Sequence, residues 1–169
     1  MNTETQPDVR ALYRQIRILL MLVIIGLFVS GVTAFPLESE LRYLDKQIQH
    51  LSGFSDLKGW IHRVYEGLLE TNRKYPFISY GSDWLAFAHL VIAIVFVGPL
   101  RDPVRNIWVI EFGIIASILI FPLAFIAGPI REIPVFWSLI DCSFGVVAGV
   151  LLWWTRTRVK QLEAFISGH

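Results

Sequence analysis

The sequence predicts an all-α integral membrane protein, with four transmembrane helices and two amphipathic helices in the 36–83 connection. Three observations carry this reading. Hydrophobic residues make up 54% of the 169-residue chain and charged residues only 17%, where ordinary soluble domains carry about 25% charge. The charges are bunched, so they leave apolar runs of bilayer length. Between the first and second runs, apolar residues recur instead at the spacing of a helix with one greasy face.

Residues 18–35 hold no charge. As a helix rising about 1.5 Å per residue they reach roughly 27 Å, close to the thickness of a bilayer's hydrocarbon layer. The first span is placed near 15–35. It is read as a span and not as a cleaved leader, because it ends in Phe35-Pro36 and no small-x-small site follows. In the connection, Leu37, Leu41, Leu44, Ile48 and Leu51 form one apolar stripe. Ser52-Gly53 breaks it, Ser55 is placed to cap the next helix, and Leu57, Trp60, Ile61, Val64, Leu68 and Leu69 form a second stripe. Acidic and basic residues nearly balance between 36 and 83, so the pair is a cap lying on the membrane face and not a polybasic lipid patch. Pro76 and Gly81 then return the chain to the membrane.

The second span is placed near 84–100, where His89 is the one polar ring. The third is placed near 105–127, with Glu111 the single charge from Ile107 to Ile130. The fourth is placed near 135–155, with Asp141 its single charge. The expected organisation is a polar N-terminal segment at 1–14, a four-span bundle at 15–155 that includes the 36–83 cap, and a basic tail at 156–169. Arg10, Arg14 and Arg17 precede the first span, Arg101 and Arg105 separate the second from the third, and Arg156, Arg158 and Lys160 follow the fourth. The positive-inside rule then puts both termini in the cytoplasm and the 36–83 cap outside, as in a bacterial-type cytoplasmic membrane. Trp153 and Trp154 fit an inner aromatic belt, and Trp84 and Trp137 an outer one.

Gly98-Pro99-Leu100-Arg101-Asp102 recurs as Gly128-Pro129-Ile130-Arg131-Glu132. Because successive spans run in opposite directions, the copies form an inverted repeat, a habit of transporters. The same pattern also describes two helix ends with equal turn chemistry, in which Gly-Pro closes one helix and Asp102, followed by Pro103, caps the next.

A carboxylate inside a span costs about 2.5–3.5 kcal/mol on insertion scales, so it should face protein or water. Asp141 shares a helical face with Ser138, Gly145 and Gly149, and the two glycines let another helix come close. His89 shares its face with Ala86 and Ala93. These two groups are expected to share one buried site, with Ser138, Trp137 and Trp84 around it as ligand-binding candidates. Asp141, His89 and Asp83 are the catalytic candidates. Asp83 at a helix start also suits the dipole. His62 and Glu66 lie on one helical face and, with His89 and Asp141, offer nitrogen and oxygen ligands to a single divalent metal. Arg101, Asp102, Arg105 and Glu111 form an expected charge cluster on the inner side, with Glu111 paired to Arg101 or Arg105. Cys142 is expected to be a small apolar packer.

Several classes are excluded. The net charge of +1 is too small for a nucleic-acid reader working by bulk charge. One cysteine makes no internal disulfide and no CxxC pair. Four histidines, with one in a span, do not supply the paired ligands of a multi-haem cytochrome. There is no phosphate loop, no GxSxG and no HExxH. Two outer aspartates in a four-span chain of this length also describe lipoprotein signal peptidases, but their asparagine-rich and Gly-Asn…Asp-Arg motifs are missing, and no family is assigned. The reading favoured is a binding protein for an apolar or amphipathic ligand, lipid- or quinone-like, or for a membrane protein partner or second copy, through a pocket under the cap. The alternatives are a membrane-embedded metal-dependent hydrolase using the His/Asp/Glu cluster, and a small dimeric proton-coupled carrier built on the inverted repeat.

Overall fold

The computed structural model describes residues 8–50 and 52–167. Leu51, the last position of the first cap stripe, lies outside them, as do residues 1–7 of the N-terminal segment and 168–169 of the tail. The described residues form helices and no strand. In order these are α1 (Val9–Ala34), α2 (Leu37–Ile48), α3 (Ser55–Lys74), a 3-10 turn (Pro76–Ile78), α4 (Tyr80–Val95), α5 (Val97–Arg101), α6 (Ile107–Ile130) and α7 (Val135–Ser167). Four stretches are long and apolar enough to cross a membrane: Val9–Ala34, Pro76–Arg101, Ile107–Ile130 and Val135–Ser167. Large apolar side chains cover their outward surfaces, Ile115, Ile118 and Leu119 on α6 among them, as befits a surface solvated by lipid. The chain is an all-α integral membrane protein. It divides into two compact units, residues 27–92 and residues 1–26 with 93–169.

In the unit of residues 1–26 and 93–169, α6 and α7 pair as an antiparallel hairpin. On α7 the buried residues are Ser138, Cys142, Gly145, Leu152, Thr155, Val159 and Leu162, a seam with the 3.5-residue period of coiled-coil packing. On α6 they are Val109, Ile110, Gly113, Ser117 and Gly128. The residues of the seam are small where the helices touch. A Cβ added to Gly145 would sit 2.9 Å from the Ser117 carbonyl oxygen, and one on Gly128 would sit 2.9 Å from Ser138 Oγ. Such close backbones gain dispersion contacts that lipid does not offer. The same unit buries Leu12, Ile16, Leu20 and Val23 of α1, one face at helical spacing.

Several boundaries depart from the sequence reading. The expected span near 84–100 lies within Pro76–Arg101, but its helix is interrupted at one residue: α4 stops at Val95, Phe96 makes a turn, and α5 follows. The cause is Pro99, which lacks an N–H for the Val95 carbonyl and whose ring crowds it. The Phe96 ring is 2% exposed and packs on Gly113. The basic segment after 155 is helical and continues α7 through Ser167. Val159 and Leu162 extend the buried seam past the apolar run, so tertiary burial keeps the helix intact. At the other end, helix begins at Val9, inside the expected polar segment.

The two Gly-Pro copies also take different courses. Asp102 is extended and accepts the Arg105 N–H at 3.1 Å, which caps the 103–106 turn and not α6 itself. In the second copy, Gly128-Pro129-Ile130 completes α6. Glu132 has φ 56°, its N–H bonds Pro129 O at 3.2 Å, and Ile133 N–H bonds Gly128 O at 2.9 Å. That is a Schellman close with a left-handed residue that is not glycine.

In the unit of residues 27–92, a Cβ on Gly31 of α1 would lie 2.9 Å from the Ala86 carbonyl oxygen of α4, so these two backbones meet closely. Helices α2 and α3 form an antiparallel hairpin that buries Ile48 and Ile61. The expected cap by Ser55 is absent: Ser55 Oγ donates to Asp56 Oδ1 at 3.3 Å, and the residue before the helix, Phe54, sits left-handed at φ 58°.

Candidate functional site

The most developed polar site lies in the unit of residues 27–92. Pro36 forces a corner between α1 and α2, because it fixes its own φ and pushes Phe35 away from helix. A second corner, Tyr75 to Ser79, joins α3 to α4 through Pro76. The two corners face a cleft of about 270 Å³. One part of its wall is apolar, from Ala34, Phe35, Leu37 and Leu68. The other part is polar, from Glu38, Asn72, Ser79, Ser82 and Asp83.

A relay of hydrogen bonds sets the polar wall. Ser79 Oγ donates to Asn72 Oδ1. Asn72 Nδ2 donates to Glu38 Oε2 at 2.7 Å, and Arg42 Nη2 donates to Glu38 Oε1 at 2.8 Å. Arg42 Nε in turn reaches the Tyr65 hydroxyl at 3.3 Å. The amide orientation of Asn72 follows, because an ionised carboxylate accepts only and must meet the NH₂ end. The Asn72 bond, with Arg42 beside it, holds the Glu38 carboxyl below the usual carboxylate range. Asp83 differs. Its own N–H bonds Ser79 O at 3.2 Å, but among the described residues its carboxylate has no hydrogen bond or ion pair.

Above the cleft, α2 and α3 are clasped by polar pairs in antiparallel register. His62 Nδ1 lies 3.2 Å from Asp45 Oδ2, its Nε2 lies 3.3 Å from Glu66 Oε1, and Lys58 Nζ donates to Gln49 O at 3.4 Å. The hydrogen bond with Asp45, and then the charge of Glu66, raise the His62 pKa above its ordinary 6.5. Both ring nitrogens of His62 are thus engaged by carboxylates. Among the described residues, no group of three or more His, Cys, Asp or Glu side chains is arranged to hold a metal ion.

The remaining candidates fall as follows. His89 belongs to the unit of residues 27–92 and Asp141 to the other. His89 is half-buried, and its Nδ1 lies 2.9 Å from Leu85 O one turn back on its own helix. Asp141 is half-buried, and the adjacent Cys142, 4% exposed, is among the buried residues of the α6–α7 seam. One residue is about 100° of helix rotation, enough to move a side chain from seam to flank. Ser138 is buried against Gly128. Trp84 is exposed, with Tyr80 and Phe87 edge-on at 6.0 Å each. Trp137 is half-buried.

The expected charge cluster of Arg101, Asp102, Arg105 and Glu111 is rearranged. Glu111 pairs with neither Arg101 nor Arg105: Arg156 Nε donates to its Oε1 at 2.8 Å. An antiparallel hairpin sets the start of α6 against the late part of α7, which sequence neighbours cannot indicate. Arg101, Asp102 and Arg105 are exposed.

Sequence reading missed Glu38, Asn72 and Ser79. Their signal was faint: a polar run at 72–83 beside a proline corner, and a glutamate in the first turn after another. No family model, curated protein or solved structure matches this chain.

Proposed function

We propose that this is a membrane-embedded binding protein that holds the polar head of an amphipathic, lipid- or quinol-like molecule in the cleft between the two proline corners. The observation that carries the reading is the unpartnered Asp83 carboxylate in a cleft walled on one side by Ala34, Phe35, Leu37 and Leu68. A volume of about 270 Å³ suits a head group and not a whole lipid, since pockets for drug-sized ligands run about 300–1,000 Å³. Because a carboxylate only accepts, the head should carry hydroxyl or amine donors. The tail would lie on the apolar wall and in the bilayer. The reading takes both termini as cytoplasmic and α2–α3 as an extracytoplasmic cap, from the arginine-rich flanks of the spans.

Native mass spectrometry with elemental analysis on gently solubilised protein tests this. An amphiphile retained at one per chain, and lost in Asp83→Asn and in Asn72→Ala, is expected. Retention unchanged in both variants, or no retained molecule, would overturn the cleft reading. A stoichiometric metal instead would replace it with the hydrolase alternative.

A further inference from the structure

The cytoplasm-proximal turns of α1 present a second, separate feature. Arg10, Tyr13, Arg14, Arg17 and Ile18 line a shallow groove of about 490 Å³ along one face of the helix. These positions are spaced by three, one, three and one, so they share a side. The opposite side is the buried stripe of Leu12, Ile16 and Leu20, 2%, 0% and 0% exposed. The arginines therefore face outward from the protein.

Several cations have an acidic partner: Arg42 has Glu38, Lys74 has Glu70, Arg156 has Glu111 and Lys160 has Glu163. Arg10, Arg14 and Arg17 have no side-chain hydrogen bond or ion pair among the described residues. Among the described residues, these are three guanidinium groups on one face with no anionic side chain paired to them.

Depth says which anion. The uncharged run starts at Ile18. At about 1.5 Å per residue, Arg17 and Arg14 sit roughly 1.5 and 6 Å beyond it and Arg10 roughly 12 Å. The head-group layer is about 5–8 Å thick on each side of the hydrocarbon. Two guanidinium groups thus lie at the level of lipid phosphates, and the Arg10 backbone lies about 4 Å or more beyond the layer, a gap its long side chain spans. Below them the same side of α1 continues as exposed Ile18, Met21, Leu22 and Ile25, 54%, 42%, 51% and 51% exposed, a track for acyl chains.

We propose that this face is a binding site for an anionic phospholipid of the surrounding leaflet, with Arg14 and Arg17 holding the phosphate in a charge-assisted fork. Arg10 reaches the outer part of the head group, Tyr13 offers its hydroxyl, and the acyl chains lie along Ile18, Met21, Leu22 and Ile25. The site is independent of the Asp83 cleft.

The full chain is reconstituted in nanodiscs of equal phosphatidylglycerol and phosphatidylcholine, released in mild detergent, and its retained lipids are counted by native mass spectrometry. Phosphatidylglycerol is expected to be enriched on the native chain. Arg14→Gln with Arg17→Gln should lower that enrichment about tenfold or more, given the typical attraction of each basic side chain to an anionic surface. Arg101→Gln with Arg105→Gln removes equal charge and should leave it unchanged. Far-UV circular dichroism checks that helix content is preserved. Equal loss in both double variants, no preference for the anionic lipid, or displacement by millimolar inorganic phosphate would overturn the assignment, the last by making it a soluble-anion site.

Discussion

The α6–α7 hairpin yields a sharp prediction, because two glycines of one small-xxx-small pair should respond oppositely to the same substitution. A methyl at Gly145 would stand 2.9 Å from the Ser117 carbonyl oxygen, whereas one at Gly149 would stand 3.4 Å from Ser117 Cβ, its nearest neighbour. Ordinary contact begins near 3.4 Å, so Gly145→Ala requires the two backbones to separate by about half an ångström. Overpacking of this kind costs about 1–3 kcal/mol. Alanine returns about 1 kcal/mol through helix propensity. The net expectation is a loss of about 1 kcal/mol for Gly145→Ala. Gly149→Ala meets no clash and should gain about 0.5–1 kcal/mol. The variants should therefore differ by about 2 kcal/mol, roughly thirtyfold in the unfolding equilibrium. Unfolding by sodium dodecyl sulfate titration in mixed micelles, followed by far-UV circular dichroism, measures the difference. If Gly145→Ala is as stable as Gly149→Ala, α6 does not approach α7 at Ser117 and the argument for the seam fails.

Further predictions concern the ion pair, the clasp and one loop. Removing Glu111 and Arg156 singly and together should give a coupling energy of about 0.2–1 kcal/mol, modest because both side chains are more than a third exposed; the Glu111–Arg101 cycle should give none, and the reverse result would restore the sequence reading. His62 has a raised folded-state pKa. Its contribution to the α2–α3 clasp is thus fully present below its unfolded value and lost as pH rises through the folded one. Amide exchange in α2 and α3 should quicken across that window in the native chain and show no such step in His62→Gln. Phe54 holds a left-handed backbone while 69% exposed, so Phe54→Gly should stabilise the hairpin by about 1 kcal/mol or less in thermal melts.

The sequence alone determined the class and the number of spans. Runs without charge, and stripes at helical spacing such as Leu57 to Leu69, are local properties, and burying backbone in lipid leaves a helix as the open choice. It also held the stop at Val95, legible through Pro99 once the proline is counted four residues back. Only the tertiary structure decided which residue of each helix meets another. A helix turns about 100° per residue, so a seam read to within one position exchanges Cys142 for Asp141. Pairings across a hairpin depend on register between segments far apart in sequence. That is why Glu111 meets Arg156, and why Glu38 of α2, Asn72 of α3 and Ser79 of the corner after it form one wall with Asp83.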